Sequence, residues 1–260
     1  MSAFTDQTGA EIKLAGDPTR IVSIVPSQTE LLSHFGLDKE VIAITKFCIH
    51  PSSWFETKLK VGGTKKLNIP LIRRLSPDLI IGNKEENTRG QIEELCKHYP
   101  VWLSDIHNLD EALQMIVQLG ELTGKQQVAG SLAVRISDHF KSVYIHANYV
   151  RAAYLIWQKP YMVAGGDTFI DSMLQLAGYE NVFKDTLRYP TVTMEEIKAK
   201  KPAVILLSSE PFPFKEKHVS EFQDLAPESK TIVVDGEMFS WYGSRLLQAP
   251  AYFQQLKNSF

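Results

Sequence analysis

Cys48-Ile49-His50 places a thiol and an imidazole two residues apart, in a stretch with neither helical nor strand periodicity. Both groups are metal ligands, and Glu85, Glu86 and Glu210 carry carboxylates that would complete a set. On that reading His50 and Glu85 hold the metal, either as a bare divalent ion or inside a complex that His50 touches. No pair of these residues has a recognised zinc-site spacing. A second reading therefore stands beside the first: Cys48 is a small buried group, and His50 is a hydrogen-bonding loop residue ahead of Pro51.

Three other stretches carry usable chemistry. Asn83-Lys84-Glu85-Glu86-Asn87 is a dense polar turn, and Lys65, Lys66 and Lys84 are cations suited to carboxylates or phosphates on a ligand; solvated turn charges explain the same residues. Trp241-Tyr242-Gly243-Ser244-Arg245 combines two amphipathic rings with a guanidinium, a group that stacks on a flat ligand and holds an acidic substituent. It equally describes a packed tryptophan and an arginine bridging to an acidic neighbour. Gly165-Gly166-Asp167-Thr168 opens a helix, where backbone N–H groups hold anions when they are free. No nucleophile elbow, dinucleotide fingerprint or metalloprotease helix occurs, so no enzyme is expected. The single enzymatic alternative is a tetrapyrrole metal chelatase, which His50 beside carboxylates would fit.

Composition bounds the partners. Of 260 residues, 44% are hydrophobic and 22% charged, enough apolar chain for a full core. A net charge of −2 leaves no overall basic surplus for nucleic acid or membrane. Two cysteines, Cys48 and Cys96, supply no disulfide framework. No stretch has the length of a signal peptide's apolar run or of a spanning helix. The chain as it stands is expected to be a cytoplasmic monomer, or periplasmic or cell-surface if a leader has been removed.

The elements that position these residues alternate as strand and helix. Residues 20–25 form a continuous apolar run ending at Pro26, which suits a buried parallel strand. Ser27 and Thr29 are set to cap the following helix, and Gly36 closes it. Residues 9–14 suggest an edge hairpin with the chain that follows. Strands are expected at 41–45, 78–82 and 100–103, and helices at 69–75, 88–98 and 109–122, with 62–66 a loop. Residues 125–147 then read as one long amphipathic helix, with Val128, Leu132, Ile136, Phe140, Val143 and Ala147 on its apolar stripe. After it the pattern begins again: strands at 151–157, 203–207 and 231–234, helices at 169–177 and 194–200, and a C-terminal helix.

The repeat is specific. Ile72, Pro77 and Glu85 recur as Ile197, Pro202 and Glu210 at one constant offset of 125. The chain is therefore α/β, with two α/β lobes of parallel sheets bridged by one long backbone α-helix. The expected boundaries are 1–124, 125–149 and 150–260. Ligands of open parallel sheets sit at the carboxyl ends of the strands, so the loops at 26–29, 47–50, 83–87, 157–166, 209–214 and 239–245 would line a cleft.

Residues 20–30, 75–81, 178–183 and 201–205, together with the long helix, resemble the ABC-importer substrate-binding proteins of the backbone-helix class. The layout is closest to the cobalamin binders, and the class also serves iron-siderophore, haem and bare-metal uptake. The resemblance covers the chain from Arg20 onward. It implies a clamped metal chelate, whether corrinoid, haem or iron chelate, with no intrinsic cofactor. It also implies a pocket lined by Phe47, Trp157 and Tyr189, while Thr64 and Asn83 stand where the cobalamin type carries tryptophan. Docking to an ABC permease is implied through Glu195, with Pro70 at the matching position of the first lobe. The expected ligand set is thus Phe47, Cys48, His50, Lys65, Asn83, Glu85, Trp157, Tyr189, Glu210, Trp241, Tyr242 and Arg245.

Overall fold

The computed structural model describes residues 2–142 and 149–258. They divide into two compact units: Met1–Ile106 with Asp110–Ser137 and Tyr242–Arg245, and His107–Leu109 with Asp138–Trp241 and Leu246–Phe260.

In the first unit β1 (Ser2–Thr5) and β2 (Glu11–Leu14) make an antiparallel hairpin. The expected hairpin thus closes with the chain before residues 9–14 rather than after it. The reason is local: the Asp6 carboxylate accepts from the backbone N–H of Thr8 and of Ala10, and so folds the turn back on itself. Next come β3 (Ile21–Ser23), α1 (Pro26–His34), β4 (Val41–Ile44), α2 (Ser52–Thr57), β5 (Leu59–Lys60), β6 (Gly62–Gly63), β7 (Lys66–Leu67), α3 (Ile69–Leu75), β8 (Leu79–Asn83), α4 (Arg89–Cys96), β9 (Val101–Ser104), α5 (Leu109–Leu122) and α6 (Gln126–Ser142). Five strands pair in parallel in the order β5-β4-β3-β8-β9. Buried Val22, Ile24, Ala43, Ile72, Ile80 and Ile92 form a core on this sheet.

Three local expectations change, and two short elements come in addition. Ser27 and Thr29 do not cap α1; the helix starts at Pro26, whose missing N–H costs nothing there, and the Thr29 hydroxyl donates back to the Val25 carbonyl. Residues 62–66 are the small hairpin β6–β7 rather than a loop. Helix α2 and strand β5 carry too few apolar residues to show as periodic. On α6 the buried face is Ala129, Leu132, Ala133, Ile136 and Phe140, and Val128 is exposed. Val143 and Ala147, the last two positions of the expected stripe, lie outside the described residues. Helix α6 begins in the first unit, and its residues from Asp138 belong to the second.

The second unit holds β10 (Val150–Trp157), β11 (Tyr161–Val163), α7 (Phe169–Leu176), β12 (Tyr179–Asn181), β13 (Thr191–Val192), α8 (Met194–Ala199), β14 (Val204–Ser208), α9 (Glu216–Leu225), β15 (Lys230–Val234), α10 (Glu237–Ser240) and α11 (Ala249–Asn258). The strands β12, β10, β14 and β15 pair in parallel. To this parallel core β11 and β13 add an antiparallel extension.

The repeat reaches down to single hydrogen bonds. Strands β8 and β14, and helices α3 and α8, start 125 residues apart. Their N-caps, Asn68 and Thr193, keep the offset, each accepting from the backbone N–H three residues on. So do the left-handed residues that stop the helices, Ser76 at φ 45 and Lys201 at φ 49. Arg20 donates to the Leu75 and Ser76 carbonyls, and Arg151 to those of Lys200 and Lys201. One strand–helix–strand joint has been built twice.

Candidate functional site

Because β3, β4 and β8 run in parallel, their carboxyl ends open on one side of the first sheet. The loop after β4 carries Phe47, 52% exposed, with half-buried His50 close behind. Cys48 turns the other way and is fully buried. Its sulfur lies 3.1 Å from the hydroxyls of both Thr29 and Thr45, and burial raises its pKa, keeping it a thiol. A protonated, enclosed sulfur is a core group, so the expectation that Cys48 touches ligand is corrected.

Asn83 is corrected on similar grounds. At the end of buried β8 its Oδ1 accepts from the N–H groups of Glu85 and Glu86, at 2.8 and 2.9 Å, and its Nδ2 donates to Ser104 Oγ and the Ser104 carbonyl. With every polar valence of the amide in use, Asn83 shapes the turn instead of facing a ligand. Asn87 completes the turn, accepting from Asn83 N and donating to the Thr64 carbonyl. Lys65 reaches across from the tip of the β6–β7 hairpin to donate to the Glu85 carbonyl at 2.7 Å. Two residues expected separately as polar partners of a ligand, Lys65 and Glu85, thus meet through the Glu85 backbone.

Tyr242 and Arg245 belong to this same unit, but their polar ends meet protein. The Tyr242 hydroxyl donates to Glu86 Oε1 at 2.9 Å, and burial beside that carboxylate drives the phenol well above its ordinary range. Arg245 grips Glu30 through two parallel bonds, 2.6 and 3.2 Å long. The bridging reading of this stretch holds, and Arg245 as a clamp for a ligand's acidic group is corrected. Sequence spacing offers no sign of partners 156 and 215 positions away.

At the carboxyl end of β10 in the second unit, Trp157 is 39% exposed. Phe212 stands edge-on to it at 5.6 Å and leans in turn on Phe214 and His218. The backbone N–H of Phe212 donates to the Ile156 carbonyl and fixes that ring beside Trp157. Phe212 was not among the expected residues; the run Pro211-Phe212-Pro213-Phe214 is the sequence signal that marks it. Tyr189 is half-buried under the Arg188 guanidinium, 5.8 Å from the ring centre.

Glu210 lies two residues past the end of β14, and one of its oxygens accepts from Ser240 Oγ at 2.6 Å and Trp241 Nε1 at 2.9 Å. Trp241 is thereby held in the interior. Burial pushes the Glu210 carboxyl up, and the like charges of Glu237 and Asp235 add to it. A carboxyl raised in the fold contributes stability in full below its unfolded value and loses it as pH rises through its folded one. Glu210→Gln keeps an acceptor and removes the charge. The variant is expected to melt above the parent at neutral pH, with the gap closing below about pH 4; melting curves across that range check it, and a lower melting point at neutral pH would contradict it.

The Gly165-Gly166 anion reading is also corrected. Both N–H groups are taken, by the carbonyls of Arg188 and Thr186 at 2.8 Å each. Glu195 is exposed in the first turn of α8, which Thr193 and Glu196 cap reciprocally. It borders a groove of about 380 Å³ floored by Pro160, Tyr161, Val192 and Met194. Pro70, at the matching position of α3, is exposed as well. Among the described residues no three His, Cys, Asp or Glu side chains gather to hold a metal ion.

The family model described as periplasmic binding protein matches residues 21–229. The chain belongs to that family. Its members bind solutes for transport and are not enzymes. A vitamin B12-binding protein of Yersinia pestis is 26% identical over 195 residues, covering 73% of this chain and 69% of its own. Two solved structures share the fold of this periplasmic binding protein. The periplasmic vitamin B12 binding protein of Vibrio cholerae superposes with a TM-score of 0.77 at 22% identity, over 92% of this chain and 98% of that one. The periplasmic heme-binding protein from Roseiflexus sp. RS-1 does so at 0.78 and 20%, over 92% and 99%. Those likenesses carry the two-sheet α/β architecture of the backbone-helix class; the site residues remain this chain's own.

Proposed function

We propose that this protein captures a metal chelate of corrinoid, haem or iron-siderophore type and hands it, chemically unchanged, to an ABC permease. The observation that carries the reading is the aromatic pair of exposed Trp157 and half-buried Phe212 at the carboxyl end of the second sheet. Flat conjugated or chelated ligands gain from contact with such rings, and the transfer of apolar surface from water supplies the driving force. Within the first unit Phe47 offers an exposed ring and His50 a nitrogen donor, with Lys65 and Glu85 as polar groups; within the second unit Tyr189 adds a ring. The vitamin B12 and haem binders among the relatives support this ligand class. With a threonine at position 64, and a buried Asn83 turned into the protein where the cobalamin type carries tryptophan, this chain offers fewer rings than that family pattern, which favours a smaller or more polar chelate.

Glu195 is the permease contact in this reading, with Pro70 leaving the first unit uncharged at the same place. The family supports work outside the cytoplasmic membrane for an exported chain, and no helix among the described residues is long and apolar enough to cross a membrane. Continuous helix α6 would keep the change on binding small, because bending it breaks backbone hydrogen bonds. A bare-ion site finds no cluster to rest on.

The test is a thermal-shift and fluorescence titration against hydroxocobalamin, haemin, a ferric hydroxamate and zinc. At least one chelate is expected to raise the melting point and quench tryptophan emission. Trp157→Ala is expected to weaken that chelate roughly 10- to 30-fold, the loss of one large apolar contact. Stabilisation by zinc alone, or by none of the four, would overturn the assignment.

A further inference from the structure

A net charge of −2 conceals a local imbalance. Residues 38–66 hold six lysines against Asp38, Glu40 and Glu56. Four of the eleven large apolar side chains exposed among the described residues also fall there: Phe47, Ile49, Phe55 and Leu59. Phe47 is claimed by the ligand site. The remaining three lie in the loop before α2, on α2 and on β5. Strand β5 ends the five-stranded sheet, so its outer edge has no neighbouring strand among the described residues.

The lysines are interleaved with the rings. The Lys60 ammonium lies 5.0 Å from the centre of Phe55 and donates to the carbonyls of Phe55 and Lys58. The Lys58 ammonium lies 5.1 Å from Trp54 and donates to the Asp38 carbonyl. An ammonium has three donors, so both retain N–H groups for a partner. Such an edge refuses a second copy of itself, because Lys58 and Lys60 would meet their own counterparts. It suits a surface that is anionic outside and apolar just beneath.

We propose that this edge of the first unit rests on an anionic phospholipid bilayer. Phe55 and Leu59 would enter the boundary of headgroup and acyl chain, and Lys58 and Lys60 would sit at phosphate level with their stems along the apolar layer. The proposal does not depend on which ligand the protein carries.

The test is co-sedimentation of the full chain with phosphatidylcholine vesicles, plain or doped with phosphatidylglycerol. Binding is expected only to the doped vesicles, weakening as salt is raised. Lys58→Gln and Lys60→Gln are each expected to lower the partition coefficient about fivefold, and Phe55→Ser with Leu59→Ser at least about tenfold. Val134→Ser, exposed on α6, is expected to change nothing. The lysine variants keep every apolar side chain, so they answer the question even if the serine pair proves poorly folded. No binding to doped vesicles, equal binding to both kinds, binding indifferent to all four substitutions, or capture of an acidic protein by an edge that ignores vesicles would each overturn the proposal.

Discussion

Arg245→Ala is expected to lower the thermal midpoint by roughly 10 °C, corresponding to a loss of about 2–4 kcal/mol. The guanidinium and the Glu30 carboxylate are bound at two points, and their side chains are only 11% and 19% exposed. Removing the cation takes a two-point partner from a carboxylate that has given up most of its water. A surface pair would cost less than about 1 kcal/mol, so the size of the effect separates the two cases. Glu30→Gln combined with Arg245→Met should recover part of the loss, because neither partner is then a stranded charge. Differential scanning calorimetry of the three proteins checks this. A shift of only a degree or two for Arg245→Ala would show that the bridge is no anchor.

Gly165→Ala is the second large effect. The new methyl carbon would stand 2.0 Å from the Thr186 carbonyl oxygen and 2.9 Å from that of Arg188. Both are backbone atoms, which cannot rotate away. The loop at 184–189 would have to move, breaking the two hydrogen bonds that hold it to Gly165 and Gly166. A cost of about 3 kcal/mol or more is expected in urea unfolding. Because the displaced loop carries Tyr189, the chelate found by the titration should also bind less tightly. Gly130→Ala is the comparison: nothing lies within 4 Å of its added carbon, and on a helix alanine is the better residue by up to about 1 kcal/mol. If Gly165→Ala melted like Gly130→Ala, the packing described at that turn would be wrong.

Several parts of this molecule were legible before any coordinates. The bounds of α3 and α5 follow from apolar spacing and their flanking residues, and the structure reproduces them at 69–75 and 109–122. The offset of 125 read from Ile72, Pro77 and Glu85 reappears in caps, helix stops and the carbonyls that Arg20 and Arg151 bind. These are short-range matters, settled within a few turns of chain. Helices α2 and α9 were missed because their apolar positions are few; neighbours across the fold make them helices.

The polar residues tell the opposite story. Asn83, Tyr242 and Arg245 carry the side chains a ligand would want, and each is spent on protein: on the Glu85 and Glu86 amides, the Glu86 carboxylate and the Glu30 carboxylate. Phe212 drew no notice and ended beside Trp157.

The amino-acid order alone determined that this chain makes two parallel-stranded α/β units from a repeated strand–helix joint, since backbone hydrogen bonding and apolar periodicity act locally. Only the tertiary structure decided which polar and aromatic groups stay available to a guest. A side chain is claimed by whichever complementary group folding brings within about 3 Å, and that group can lie 215 positions away.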